Sequence, residues 1–314
     1  MLPARCFRWF APVGSGDMGV PPPPPPPEEA ARIARALKVE PVVWREITRR
    51  GQTNAAHWLV ELPDGTRVFV KVARGDDTAS WIRDEHQFYA RARGEPFLPR
   101  LRGWDDDGER PVLALEDLSD ADWPPPWDRG RVDAVLACLA EVSSMSPPAD
   151  LPRAIDSQFD FRGWNEIEDD PEPFLSLRLC SRSWLEAALP ILRYATEIAP
   201  LDGEALLHFD VRSDNICLRD GRAILIDWNF ACLGNPLADV AAWLPSLHAE
   251  GGPPPEEVLP EGATELAALL AGYFSAHAGR PEIPEAPHVR TLQLRQARTA
   301  LPWAARALGL PPPH

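Results

Sequence analysis

The apolar segments of this chain change character once, near residue 118. Before that point they are short and joined by turn sequences. Residues 42–47, 57–62 and 67–72 read as strands, and Pro63-Asp64-Gly65-Thr66 joins the last two as a hairpin. Residues 78–93 read as one helix, because Trp81, Phe88 and Tyr89 recur at helical spacing. Residues 111–115 form another short apolar strand. Beyond residue 118 helical patterns dominate, over 131–144, 181–196, 238–246, 264–277 and 288–308. Two short strands interrupt them, 215–218 and 223–227, with Arg219-Asp220-Gly221-Arg222 as the turn. The pattern predicts an α+β chain with a small, mainly antiparallel sheet and one prominent helix in residues 28–118, then a larger helical part in 119–314. A helix over 28–37, with acids in its first turn, opens the first part. Residues 1–27 read as a disordered tail. Its seven prolines, Pro21 to Pro27, hold a polyproline II spacer, and Met18 is an alternative start.

Composition narrows the function. Acidic residues outnumber basic ones by 47 to 32, a formal net charge of -15. That balance speaks against nucleic acid as a partner. No apolar run reaches the roughly 20 residues of a membrane-spanning helix. Cys6, Cys138, Cys180, Cys217 and Cys232 are odd in number and contain no CxxC pair. They read as reduced thiols of a cytoplasmic protein. The sequence leaves monomer and homodimer both open. Lysine occurs only at Lys38 and Lys71, so each one kept in an arginine-using chain is informative.

The richest stretch is Leu207-His208-Phe209-Asp210-Val211-Arg212-Ser213-Asp214-Asn215, followed by Asp227 at the end of the apolar run Ile224-Leu225-Ile226. A hairpin brings Asn215 and Asp227 to one open end. Two oxygen-bearing side chains there suit Mg²⁺, a hard cation that takes few protein ligands and keeps positions for phosphate and water. Asp210, five residues before Asn215, is placed to orient a hydroxyl and accept its proton. Metal plus carboxylate is the arrangement of phosphoryl transfer, where positioning and charge neutralisation supply most of the catalysis.

HFDVRSDN followed by LIDWN resembles the catalytic loop and metal-binding aspartate of the aminoglycoside phosphotransferase and choline kinase-like family. Gly234-Asn235-Pro236-Leu237-Ala238-Asp239-Val240-Ala241 is similar to that family's Gly-x-Pro-x-x-Asp-Leu-Ala segment. The resemblance covers roughly residues 40–308 and implies a two-lobed protein kinase-like fold. It implies ATP and Mg²⁺ as cofactors, an active site in the cleft between lobes, and a small hydroxylated acceptor. It makes Asp210 the base, Asn215 and Asp227 the metal ligands, and His208 the residue that holds the loop. It also makes Lys71, inside Val68-Phe69-Val70-Lys71-Val72, the lysine of the α- and β-phosphates. Its acidic partner should lie on the next helix. Glu85, on that helix's apolar face, is better placed than Asp84. Gly51, Thr53 and Asn54 stand where the family has its phosphate-covering loop, and Glu116 to Leu118 where it has the adenine-receiving linker.

Some readings stay open. Arg212 departs from the commoner family histidine; it either reaches the γ-phosphate or pairs with Asp214 or Asp239. The acids Glu166, Glu168, Asp169, Asp170 and Glu172 are either a solvated loop or a site for a polycationic aminoglycoside. Trp164 and Trp184 either stack on a sugar or cation or belong to the core. A non-catalytic nucleotide-binding scaffold and an atypical protein kinase are the competing functions. Against the latter, Asp227-Trp228-Asn229 replaces Asp-Phe-Gly and the glycine loop is sparse.

Overall fold

The computed structural model describes residues 24–47, 55–156, 159–284, 286 and 288–313. The first twenty-three residues of the Pro-rich tail, and with them three of the seven prolines of its run, lie outside the described residues. Pro27 opens the first helix, α1 (Pro27–Leu37), where the missing N–H of proline costs nothing. The described residues form two compact units, residues 1–124 with 214–230, and residues 125–213 with 231–314.

The first unit holds α1, β1 (Val43–Glu46), β2 (Ala56–Glu61), β3 (Arg67–Val72), α2 (Asp76–Arg91), β4 (Leu101–Asp105) and β5 (Val112–Glu116). The strands form one antiparallel sheet in the order β1-β2-β3-β5-β4. Val60, Val68, Val70 and Val112 fill its core together with Ile33 of α1. Strand β4 has no counterpart in the sequence reading. Gly103 sits in it against α1, and a Cβ there would lie 2.3 Å from the Ala36 carbonyl oxygen. Only glycine permits that approach, and the residue that permits it also makes the segment look like a loop.

The second unit is mainly helical. It holds α3 (Arg129–Ser144), α4 (Gly163–Asp169), α5 (Glu172–Ser176), α6 (Arg182–Glu197) and the short strand β6 (Ala205–Leu207). The hairpin β7 (Ile216–Arg219) and β8 (Arg222–Leu225) follows in the chain but packs into the first unit. The second unit resumes with β9 (Cys232–Gly234), α7 (Leu237–Ala249), α8 (Pro255–Val258), α9 (Thr264–Gly279) and α10 (His288–Ala307). Strands β6 and β9 pair over three residues, too short a run to leave a period in the sequence. Helices α4 and α9 cross backbone to backbone: a Cβ on Gly163 would lie 2.2 Å from the Gly272 carbonyl oxygen. The α+β class expected from the sequence is the one observed. Among the described residues no helix is long and apolar enough to cross a membrane, and Cys138, Cys180, Cys217 and Cys232 are free thiols.

Candidate active site

In the first unit the chemistry gathers on Lys71. Strand β3 is interior to the sheet, so Lys71 is not an edge lysine facing water; it is 6% exposed. Its ammonium donates to both carboxylate oxygens of Glu85, at 2.9 and 2.7 Å, and to the Asp227 carboxylate. Helix α2 presents Ile82, Glu85, Phe88 and Tyr89 to the interior, while Asp84 is exposed. The helical wheel therefore chose the right acid. Burial alone would lower the Lys71 pKa; Asp227 and Glu85 outweigh it and hold the ammonium above its ordinary value. Burial pushes the Glu85 carboxyl up, Lys71 pulls it down, and Asp227 pushes it up again. One buried carboxylate, Glu85, and one partly exposed carboxylate, Asp227, thus share one cation, a charge set that favours a further cation nearby.

Asp227 follows β8 with a φ of 65°. Aspartate is among the few side chains that tolerate this left-handed region, and its occurrence at a strand end marks a constrained site. Trp228 locks the turn. Its ring stacks on Phe88 of α2 with centroids 4.2 Å apart, and its indole N–H donates to the Leu225 carbonyl at 2.9 Å. Asn215, fully buried, closes a single 3-10 turn before β7. The register Ile216↔Leu225 and the bond from the Ile226 N–H to the Asn215 carbonyl, 3.0 Å, set Asn215 and Asp227 at the same end of the hairpin. One amide oxygen and one carboxylate beside a lysine make a hard, oxygen-only donor set that fits Mg²⁺ with phosphate.

Removing Lys71 leaves the buried Glu85 carboxylate uncompensated with Asp227 beside it, whereas removing Glu85 leaves Lys71 still paired with Asp227. Lys71→Met is therefore expected to destabilise the protein by about 3–5 kcal/mol, and Glu85→Gln by less. Denaturant unfolding of the two variants side by side checks the order.

In the second unit the loop after β6 carries Asp210. The Asp239 carboxylate, near the start of α7 and 2% exposed, accepts from the backbone N–H of His208 at 2.7 Å and of Phe209 at 2.8 Å. The Asp210 N–H donates to His208 Nδ1 at 3.2 Å, and His208 is fully buried. Burial pushes the Asp239 carboxyl up to about 7 against the pull of its two donors, and Asp210 adds to the push. Sequence reasoning quoted Asp239 as part of a motif and weighed it as a partner of Arg212, and missed this role. An acid among Ala238, Val240 and Ala241 at the start of an apolar helix was the available signal. Asp239→Ala orphans two buried donors, each at about 1–3 kcal/mol, so a loss of about 2–6 kcal/mol is expected, read as a fall in melting temperature.

Arg212 pairs with Asp210 itself, Nη1 to Oδ1 3.2 Å, a partner the sequence reading had not weighed. Glu116 accepts from Arg219 at 2.6 Å, and the Leu118 carbonyl accepts the Trp123 indole N–H at 3.0 Å. Gly51, Thr53 and Asn54 lie outside the described residues. Trp164 and Trp184 are core: both are buried, with indole N–H groups on the carbonyls of Ala268 and Pro311. Three of the five acids over 166–172 carry an arginine, Glu166 with Arg280, Glu168 with Arg193 and Glu172 with Arg182.

Residues 45–285 match the phosphotransferase enzyme family. Among solved structures, an aminoglycoside phosphotransferase from Alicyclobacillus acidocaldarius is similar at 16% identity and a TM-score of 0.60, over 92% of this chain and 96% of that one. A thermostable mutant of aminoglycoside phosphotransferase APH(4)-Ia, solved with AMP-PNP and hygromycin B, is similar at 15% identity and a TM-score of 0.54, over 86% and 94%. A fructosamine-3-kinase homologue from Thermobifida fusca is similar at 22% identity and a TM-score of 0.53, over 87% and 98%. Among curated protein sequences none matches this chain. At these identities the likeness shows a shared fold, the protein kinase-like one expected from the catalytic-loop pattern.

Proposed function

Because the chain belongs to the phosphotransferase enzyme family, we propose that it is an ATP-dependent kinase that phosphorylates a hydroxyl of a small molecule. The observation that carries this reading is the Lys71–Glu85–Asp227 cluster, with Asn215 on the same hairpin end as Asp227. A lysine held as a cation by two acids is a ready phosphate ligand. In this reading Lys71 receives the α- and β-phosphates, and Glu85 keeps its ammonium aimed. Asn215 and Asp227 hold Mg²⁺, which neutralises phosphate charge when bound. The linker from Glu116 to Leu118 and the loop with Gly51, Thr53 and Asn54 complete the nucleotide site. Asp210 orients the acceptor hydroxyl and takes its proton, and Arg212 sets the carboxylate's position. His208 and Asp239 fix the loop backbone beneath it. The odd cysteine count without a CxxC pair supports a cytoplasmic location in this reading.

The test is ADP release from ATP across a panel of small hydroxylated compounds, with and without Mg²⁺. Acceptor-dependent ADP release that needs Mg²⁺ is expected. Binding of ATP with no turnover on any acceptor would turn the reading towards a nucleotide-binding scaffold.

A further inference from the structure

Phe209 has a φ of 65°, a conformation a bulky residue takes only when its surroundings impose it. Asp239 imposes part of it by accepting the Phe209 N–H. The ring supplies the rest. It packs on Phe159 at 5.3 Å and on Phe161 at 6.0 Å, and both of those rings meet Tyr273 of α9, at 6.0 and 5.7 Å. Phe209 is 8% exposed, whereas Phe159, Phe161 and Tyr273 keep part of their faces in solvent. A continuous aromatic face therefore starts at the residue before Asp210 and runs along the second unit. Half-exposed aromatic rings in a row are costly to leave in water and suit a flat apolar partner.

The charges around that face are cationic or neutralised. The Tyr273 ring lies 4.1 Å from His277, whose Nε2 meets Arg280 at 2.9 Å. Arg280 is engaged by Glu166, so that acid is not available to bind a ligand cation. Arg290 donates to the Pro281 carbonyl at 3.0 Å and to Gln293 at 2.9 Å, with no carboxylate partner among the described residues. Burial, with Arg280 and Arg290 nearby, holds the His277 imidazole below its ordinary value. An aromatic surface alone would also attract a cation, but the Arg290 guanidinium near Tyr273 opposes one.

We propose that the acceptor lies against the face formed by Phe159, Phe161 and Tyr273, and that it is a neutral hydroxylated compound with an apolar ring, not a cation. The inference rests on the kinase reading for the role of Asp210, but its own claim concerns what this face binds.

Calorimetric titration of the full chain tests it, with phenyl β-glucoside and 2-phenylethanol as neutral probes, kanamycin as the polycation and choline as the monocation. At least one neutral probe is expected to bind about tenfold or more tighter than either cation, the equivalent of about 1.4 kcal/mol. Phe161→Ala should weaken that probe about tenfold, and Phe161→Leu, which keeps apolar bulk, by less. Arg290→Glu should narrow the gap between the neutral probe and kanamycin, an effect a purely structural arginine would not produce. Kanamycin or choline binding as tightly as the neutral probes would overturn the proposal. So would a failure of both neutral probes to bind. Titration with a fluorescent ATP analogue and Mg²⁺ is separate: its failure would sink the kinase reading and leave the result on acceptor class standing.

Discussion

Asp227→Ala is expected to lower kcat by about 10³-fold or more, the upper range for loss of one preorganised electrostatic group. Two functions meet in this carboxylate. It pairs with Lys71, and in the proposed chemistry it is the charged member of the metal-binding pair, since Asn215 is neutral. No neighbour can take over both. The fold should survive for a physical reason: Lys71 keeps both of its bonds to Glu85, so no buried cation is orphaned. The cost comes instead from the backbone. Alanine at a φ of 65° is strained by about 1–2 kcal/mol, less well tolerated than aspartate. Steady-state ADP release measured beside denaturant unfolding separates the two effects. An active variant would remove the core of the argument, and an unfolded one would show that Asp227 is structural first.

Much of this site was legible because it obeys local periodicities. Glu85 lies three and four residues before Phe88 and Tyr89, so helical spacing placed an acid on a buried face, and a buried acid demands a cation. Lys71 was conspicuous in an arginine-using chain, and Asp227 because Ile224, Leu225 and Ile226 run straight into it. What stayed hidden depends on contacts between residues far apart in sequence. Strand β4 was masked by Gly103, whose purpose is the close approach of α1. The three-residue pairing of β6 with β9 has no periodic signal. Arg212 pairs with Asp210, two residues before it on its own loop, a contact that spacing alone does not single out. The acids over 166–172 looked like a cation site because their arginines come from residues 182, 193 and 280. The aromatic face joins residues 159–161, 209 and 273, three segments whose proximity no spacing rule conveys.

The corresponding test of the second unit is Asp210→Asn, expected to lower kcat by about 10²-fold or more, the lower end of what a positioned base contributes. Asparagine keeps the size and one acceptor oxygen and removes only the charge. In phosphoryl transfer with a loose transition state the acceptor proton leaves late, so the carboxylate acts first by orienting the hydroxyl. That role needs a charged acceptor held in one place, and the surroundings of Asp210 supply the holding. His208 accepts its N–H, Asp239 anchors the two residues before it, and Arg212 lies 3.2 Å from its Oδ1. The asparagine oxygen can still accept from Arg212, so the loop loses a charge and not its hydrogen bond, and the variant should fold. The apparent affinity for ATP should stay at the parent value, since Lys71, Asn215 and Asp227 are untouched. A fall in kcat at constant KM for ATP is therefore the expected signature. A parallel rise in that KM would assign Asp210 to nucleotide binding instead. Turnover at the parent rate on the true acceptor would show that Asp210 is not the base and move the question to Asp214, the other carboxylate of the loop.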